Sequence, residues 1–287
     1  MKRRRFIRTM LAASGLGAMS ALAGLTTTAG EPLRIGLTPV FLDDQAAFLN
    51  LWRAYLSART GSPIVFVQRA SYREISEQIN ARQLDIAWMC GYPYMMDRAR
   101  LTLLAVPLHL GRPEYHSYLI VRDDLDSVAT IADLADGVFA FSDPNSFSGS
   151  LYPRSLLHDA GLSPDTHFRR SFFTWSHRKV VEAVADGLAD GGAVAGYVWE
   201  TLSRLHPEIT ARTRVVSRSP AFGFPPFVAR ADLSRELVKA VRDVFIDMRN
   251  DAVGASLLET LNLDGFVPGK PEMFEPIAAM AERVDPR

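Results

Sequence analysis

The chain has 287 residues, 48% of them hydrophobic and 22% charged, with 32 basic and 32 acidic side chains. That composition belongs to a globular protein long enough for one large core or for two lobes. It excludes a disulfide-stapled fold, because Cys90 is the only cysteine.

The first thirty residues read as a leader. Lys2-Arg3-Arg4-Arg5-Phe6-Ile7-Arg8 is strongly basic, and Thr9 to Leu25 is apolar and free of charge. Small residues at Thr27-Thr28-Ala29 suit cleavage near Ala29, so export to the periplasm is expected. Arg3-Arg4-x-Phe6 fits the twin-arginine type of signal peptide. The apolar stretch is short and glycine-rich for a membrane span. Without the leader the chain has 27 basic and 32 acidic residues, which argues against a nucleic-acid partner.

From Leu33 onward, short apolar strands alternate with amphipathic helices. Strands are expected at 33–38, 64–68, 85–89 and 103–106. A helix at 43–59 carries Phe48, Leu49, Trp52, Tyr55 and Leu56 on one face, and a second spans 72–82 with Ile75 and Ile79 inward. After a strand at 116–122 the pattern restarts. Strands at 138–142, 168–173 and 193–195 alternate with helices at 153–160 and 178–185. Strands at 215–217 and 226–229 follow, and the tail reads as helices at 235–248, 252–261 and 272–283. This order implies α/β architecture with mostly parallel sheets and helices on both faces. Two similar halves with a late return of the chain suggest two lobes, divided as 30–120 with 216–287 and 121–215. Ligand sites in such sheets lie beyond the carboxyl ends of strands or between lobes.

Three strand-to-helix junctions carry candidate chemistry. The stretch FSDPNSFSGSLYP, residues 141–153, gathers four serines ahead of a helix start. A helix N-terminus leaves N–H groups unpaired and carries partial positive charge. Ser146 and Ser148, with backbone from Phe147 onward, therefore suit an oxyanion. The same residue types also favour turns and helix caps without any ligand. Ser176-His177 stands at a similar junction, where the imidazole is a donor for an oxyanion. Cys90 and Tyr92 to Tyr94 follow the strand at 85–89, where thiol and hydroxyls either reach a ligand or simply pack.

Together these stretches resemble the periplasmic solute-binding proteins of phosphate/phosphite/phosphonate ABC transporters. The likeness runs through ASYREISEQINARQLDIAWM (70–89), GYPYM (91–95), DLADGVFAFSDPNSFSGSLYPRSLL (133–157) and SHRKVVEAVADGLADGGAV (176–194). The resemblance implies the type II two-lobed periplasmic binding fold, with the ligand cleft between lobes. It implies that Ser146, Phe147, Ser148 and His177 hold ligand oxygens and that Tyr94 touches the ligand from the other lobe. It also implies a membrane permease as partner, a monomer and no cofactor. Aminophosphonate-binding relatives carry a carboxylate near the position of Ala195; its absence here points to phosphate, phosphite or a simple alkylphosphonate. An alternative is a sensor accessory that uses Cys90 and signals to a membrane histidine kinase. Catalysis is not expected: Ser146 or Ser148 with His177 lacks a Gly-x-Ser-x-Gly elbow, and metal-ligand spacings are absent.

Overall fold

The computed structural model describes residues 31–38 and 46–285. The leader at 1–29 and the expected start of the first helix at 43–45 lie outside the described residues. No helix among the described residues is long and apolar enough to cross a membrane.

The first lobe begins with β1 (Leu33–Leu37), α1 (Ala46–Thr60), β2 (Ile64–Gln68), α2 (Tyr72–Asn80), β3 (Ile86–Trp88), α3 (Gly91–Asp97) and β4 (Leu101–Leu108). A short strand β5 (Glu114–Tyr115) leads to the second lobe. There β6 (Ser117–Arg122), β7 (Val138–Phe141), α4 (Tyr152–Asp159), the single turn α5 (Pro164–His167), β8 (Arg170–Phe173), α6 (His177–Ala185), β9 (Gly191–Ala195), α7 (Gly196–Leu205), the single turn α8 (Pro207–Thr210) and β10 (Thr213–Arg218) follow. The chain returns through β11 (Phe222–Gly223) to β12 (Phe227–Arg230), α9 (Arg235–Asp247), α10 (Ala252–Leu261), β13 (Gly265–Val267) and α11 (Glu275–Val284).

Two sheets result. One has the order β13-β4-β12-β3-β1-β2, the other β10-β6-β9-β7-β8. In the first, β12 and β13 run against the remaining strands. In the second, β6 alone runs against its neighbours. Most strands in each sheet are thus co-directional, as the alternating pattern implies. The antiparallel members β6 and β12 are those that enter a sheet from the other lobe. The chain crosses through residues 109–116 and 219–226, slightly displaced from the sequence reading, because β6 and β10 are full members of the second sheet. The two crossings pair as a small ribbon, Tyr115 opposite Phe222 and Glu114 opposite Gly223.

Burial follows the predicted faces. Phe48, Leu49, Trp52, Tyr55 and Leu56 of α1 are all buried. Trp52 is fully enclosed and meets Trp88 and Phe227 edge-on at 6.2 and 6.1 Å. Such aromatic contacts stiffen the floor beneath β1 and β3. In the second lobe Val180, Val181 and Val184 of α6 are buried, and Phe139 stacks on Phe168 at 4.6 Å. The helix α2 starts with a capping interaction: Ser71 Oγ accepts from Glu74 N at 3.3 Å. Besides the single turns α5 and α8, two helices of the structure have no counterpart in the sequence reading, α3 and α7. Each starts directly at a strand end, on Gly91 and Gly196, without a polar cap to announce it. The helix α11 packs on both α3 and α4, and Arg283 pairs with Asp159 at 3.3 Å.

Candidate functional site

The strands β1 and β3 of one lobe and β7 and β9 of the other end at the same place. The corner after β7 is the richest in polar groups. Ser146 caps the segment beyond it, its Oγ accepting from Gly149 N at 3.1 Å. Residues Phe147–Leu151 form one turn of π-helix that runs on into α4. Leu151 N reaches back to Ser146 O at 3.0 Å, the wide spacing of a π-turn, which recurs at functional sites. Gly149 is required here. A Cβ on it would lie 1.9 Å from Ser142 Oγ and 2.9 Å from His177 Cε1. The helix start is therefore pressed onto Ser142 and His177 with no room for a side chain.

His177 opens α6 and is buried. Its Nδ1 accepts the N–H of Ala195 at 3.1 Å, so the proton of the neutral ring sits on Nε2. Nε2 stands 3.4 Å from Ser146 Oγ. Burial pushes the imidazole pKa down to about 3, so the group is a neutral donor at physiological pH.

The first lobe closes over this corner. Phe147 N donates to Cys90 Sγ at 3.2 Å, and Tyr72 N donates to Asp143 Oδ2 at 3.0 Å. Asp143 also accepts from Asn145 N at 2.7 Å. Burial raises the Asp143 carboxyl above its ordinary range, and these two bonds offset part of the rise. Burial likewise pushes up the Cys90 thiol, and it pushes the Tyr115 hydroxyl well above its ordinary range.

Between the lobes lies a cavity of about 20 Å³. That is room for roughly one water molecule. From the first lobe it is lined by Thr38, Tyr72, Trp88 and Cys90, and from the second by Ser148, His177, Ala195 and Tyr197. Tyr115, Phe224 and Pro225 of the crossings complete it. Its walls thus combine aromatic faces with a few hydroxyls, a thiol and an imidazole. No carboxylate, lysine or arginine is among these lining residues.

Two of the hydroxyls are poorly partnered. Ser148 Oγ and Tyr115 Oη are buried at the cavity wall, close enough to interact with each other but with no partner at ordinary hydrogen-bond distance. An unsatisfied buried hydroxyl is unfavourable by about 1–3 kcal/mol. Two of them facing one small space mark it as a place for a polar guest. Thr38 is not of this kind, since its Oγ1 donates to Trp88 O at 3.2 Å.

The candidates read from sequence divide clearly. Ser148, His177 and Cys90 border the cavity. Ser146 stands behind it, holding Gly149 N and facing His177. The Phe147 side chain is fully buried and packs 4.5 Å from Phe222, so its backbone rather than its ring faces the first lobe. Ser176 is the buried N-cap of α6 but makes no capping bond with its side chain. Tyr94 lies edge-on against Phe274 at 5.1 Å, and Tyr92 Oη donates to Asp285 Oδ2 at 3.3 Å. Neither tyrosine lines the cavity. The reason is the helix α3, which starts at Gly91 and turns both side chains toward α11. The sequence reading missed Tyr72, Trp88, Thr38 and Tyr197 as lining residues. Thr38 and Trp88 stand at or just past strand carboxyl ends, a positional signal that pointed to them.

The family model described as "ABC transporter, phosphonate, periplasmic substrate-binding protein" matches residues 35–274. The "Phosphate-import protein PhnD" of Mycolicibacterium smegmatis is 27% identical over 240 residues, covering 78% of this chain and 75% of the relative. The "Phosphonates-binding periplasmic protein" of Escherichia coli is 26% identical over 287 residues, covering 91% of this chain and 83% of the relative. Among solved structures, a Prochlorococcus marinus protein in complex with methylphosphonate superimposes with a TM-score of 0.80 at 21% identity, covering 88% of this chain and 98% of its own. That likeness establishes the two-lobed fold.

Proposed function

The chain belongs to the periplasmic substrate-binding proteins of phosphonate ABC transporters, a family of binding proteins rather than enzymes, and we propose that it captures a small oxyanion between its lobes for delivery to a membrane permease. The ligand class is phosphate, phosphite or a simple alkylphosphonate. The observation that carries this reading is the pair of poorly partnered buried hydroxyls, Ser148 Oγ and Tyr115 Oη, on the cavity that also receives the neutral His177. Each is a donor for an oxyanion oxygen, and bonds to charged acceptors are the stronger kind. Ser146 orients His177 and holds the π-turn rather than the ligand.

The lining chemistry also argues against an ammonium-bearing ligand. A buried ammonium needs an acceptor of matching charge. Ala195 stands on the wall, and the nearby carboxylate of Asp143 is already engaged by two backbone N–H groups. The aromatic faces of Trp88 and Phe224 suit a small apolar substituent instead.

The division into two lobes is part of the same proposal, with its boundaries at the crossings 109–116 and 219–226 so that β6 and β10 stay whole in the second lobe, as are the monomeric state and export through the twin-arginine signal. The relatives named above are named for import and binding, which favours a permease over a sensor kinase as partner.

The test is calorimetry and thermal denaturation of the purified protein against phosphate, phosphite, methylphosphonate, 2-aminoethylphosphonate and sulfate. A ligand present at 100 times its dissociation constant raises stability by about 2.7 kcal/mol. One of the first three is expected to do so. Stabilisation only by the aminophosphonate, or by none of the five, overturns the assignment.

A further inference from the structure

We propose that His109 is a positioning residue of the cleft: its imidazolium ties the Asn262 carbonyl of the first lobe to the Glu200 carboxylate of α7 in the second, and so holds the Tyr197 wall of the cavity in a protonation-dependent way. The inference rests on the oxyanion reading above and adds a regulation to it.

The geometry fixes the protons. His109 follows β4 and is buried. A tight turn holds its backbone, with His109 N donating to Arg112 O at 2.9 Å and Arg112 N donating back at 3.1 Å. The ring Nδ1 lies 2.8 Å from Asn262 O, and Nε2 lies 2.8 Å from Glu200 Oε2. A carbonyl and an ionised carboxylate only accept, whereas a neutral imidazole has a single N–H. Both contacts are therefore hydrogen bonds only while the ring is doubly protonated. Tyr118 Oη of β6 donates to the other Glu200 oxygen, which favours the ionised carboxylate.

Burial works against the charged ring, but the bonds to Glu200 and Asn262 outweigh it and raise its pKa above the ordinary value of 6.5. The Glu200 carboxyl is likewise opposed by burial and is lowered by His109 and Tyr118. The other charged and titratable groups around the pair are Asp264 ahead of β13, Arg218 of β10 and Tyr197 of α7. Asp264 supports the imidazolium and Arg218 the carboxylate. The Tyr197 ring meets the imidazole edge-on at 5.0 Å.

The clasp reaches the cavity through α7. This helix starts at Gly196, directly after the wall residue Ala195. Its Tyr197 lines the cavity and donates to Leu261 O, and its Thr201 Oγ1 accepts from Asn262 Nδ2 at 2.9 Å. Three contacts thus tie α7 to residues 261–262, two direct and one through His109. Of these, the imidazolium contact is the one that titrates near neutral pH. The seam joins the two lobes, so a ligand that favours their closure favours the protonated ring, and protonation favours the ligand in return. Affinity therefore falls as the pH rises through the His109 pKa.

Glu200→Gln is the discriminating variant. Its amide accepts from Tyr118 and donates to Nε2, so the clasp is kept with a neutral ring. Calorimetry with the best-bound of methylphosphonate, phosphite and phosphate compares the two proteins from about pH 6 to 9, and the ligand's own ionisation is common to both. Wild-type affinity is expected to fall about three- to tenfold more than that of Glu200→Gln over this range. Parallel profiles, or a steeper fall in the variant, overturn the proposal. Nitrogen NMR of the imidazole rings, with the same oxyanion present, is expected to show one ring that titrates above 6.5 in wild type and below it in Glu200→Gln. If no ring differs in this way, the proposal is overturned. If Glu200→Gln does not fold, His109→Gln replaces it in both comparisons: its affinity profile is expected to be the flatter one and the raised ring to be missing. If wild type binds none of the three oxyanions, the oxyanion reading fails by itself. The NMR comparison without oxyanion then decides the imidazolium clasp alone, and the lack of a raised ring overturns it.

Discussion

Two strand-to-helix corners face each other across the cavity, Ser142–Leu151 in one lobe and Met89–Tyr94 in the other. Each places a capping-position residue beside the cleft, Ser146 and Cys90. The serine oxygen is engaged by its own helix through Gly149 N. The sulfur reaches across to the opposite lobe at Phe147 N. The difference shows how a corner assigns its groups. Where the cap is a strong local acceptor, the helix consumes it and the next hydroxyl, Ser148, is left for a guest. Where the cap is a weak acceptor, it is shared with a partner across the cleft.

The largest expected effect separates the corners by their glycines. At Gly149 a methyl group meets Ser142 Oγ at 1.9 Å and its Cβ at 2.6 Å, in a region enclosed on all sides. At Gly91 it meets the flexible end of Ile277 at 2.8 Å and the Phe274 ring at 3.1 Å. Overpacking of this kind is unfavourable by about 1–3 kcal/mol, more where nothing can shift. Gly149→Ala is expected at or above the top of that range in denaturant unfolding, with oxyanion binding lost. Gly91→Ala is expected below it, with binding retained. A larger penalty at Gly91 breaks the comparison.

The next effect separates the two serines of one corner. Ser148→Ala removes a waiting donor and is expected to weaken oxyanion binding by about 1.5–3 kcal/mol in calorimetry. Ser146→Ala removes a cap and is expected to lower folding stability by about 1 kcal/mol. If Ser148→Ala leaves affinity untouched, this hydroxyl is not a ligand donor.

The corner of the second lobe also carries a pH signature. The folded pKa of His177, about 3, lies below the ordinary value of 6.5, so the unfolded chain takes up the proton first. The associated stability is complete above about pH 6.5 and is lost progressively as the pH falls toward 3. Between pH 6.5 and 5 this amounts to about 2 kcal/mol, at 1.36 kcal/mol per unit. Comparing wild type with His177→Gln isolates it from other groups: the variant is expected to show a shallower loss of melting temperature in acid. Parallel curves contradict the buried neutral imidazole.

The smallest effect belongs to the first lobe's tyrosines. Tyr94→Phe is expected to leave oxyanion affinity within a few tenths of a kcal/mol, because that side chain packs on Phe274 away from the cavity. A tenfold loss would return Tyr94 to the site.

What the sequence made legible follows the same division. The alternating strands, the buried face of α1 and the polar corner before α4 are local signals, and each is found where periodicity or turn chemistry put it. The helix α3 is different. No polar cap announces it, and the apolar contacts that hold it come from α11, almost two hundred residues away. Read as a loop, Tyr92 and Tyr94 are expected to face the ligand; as a helix, the structure turns them toward Asp285 and Phe274 and off the cavity wall. The lining by Tyr72, Tyr197 and Phe224 is likewise a product of closure, since three separated segments meet only when the sheets come together. The apolar wall at Ala195 was legible, because it needs only one residue at one strand end.

The direct test is a crystal structure of the protein with methylphosphonate. Ligand oxygens are expected within hydrogen-bond distance of Ser148 Oγ, Tyr115 Oη and His177 Nε2, with the methyl group toward Trp88 and Phe224. Methylphosphonate bound elsewhere, away from both hydroxyls, would contradict the assignment of the cavity.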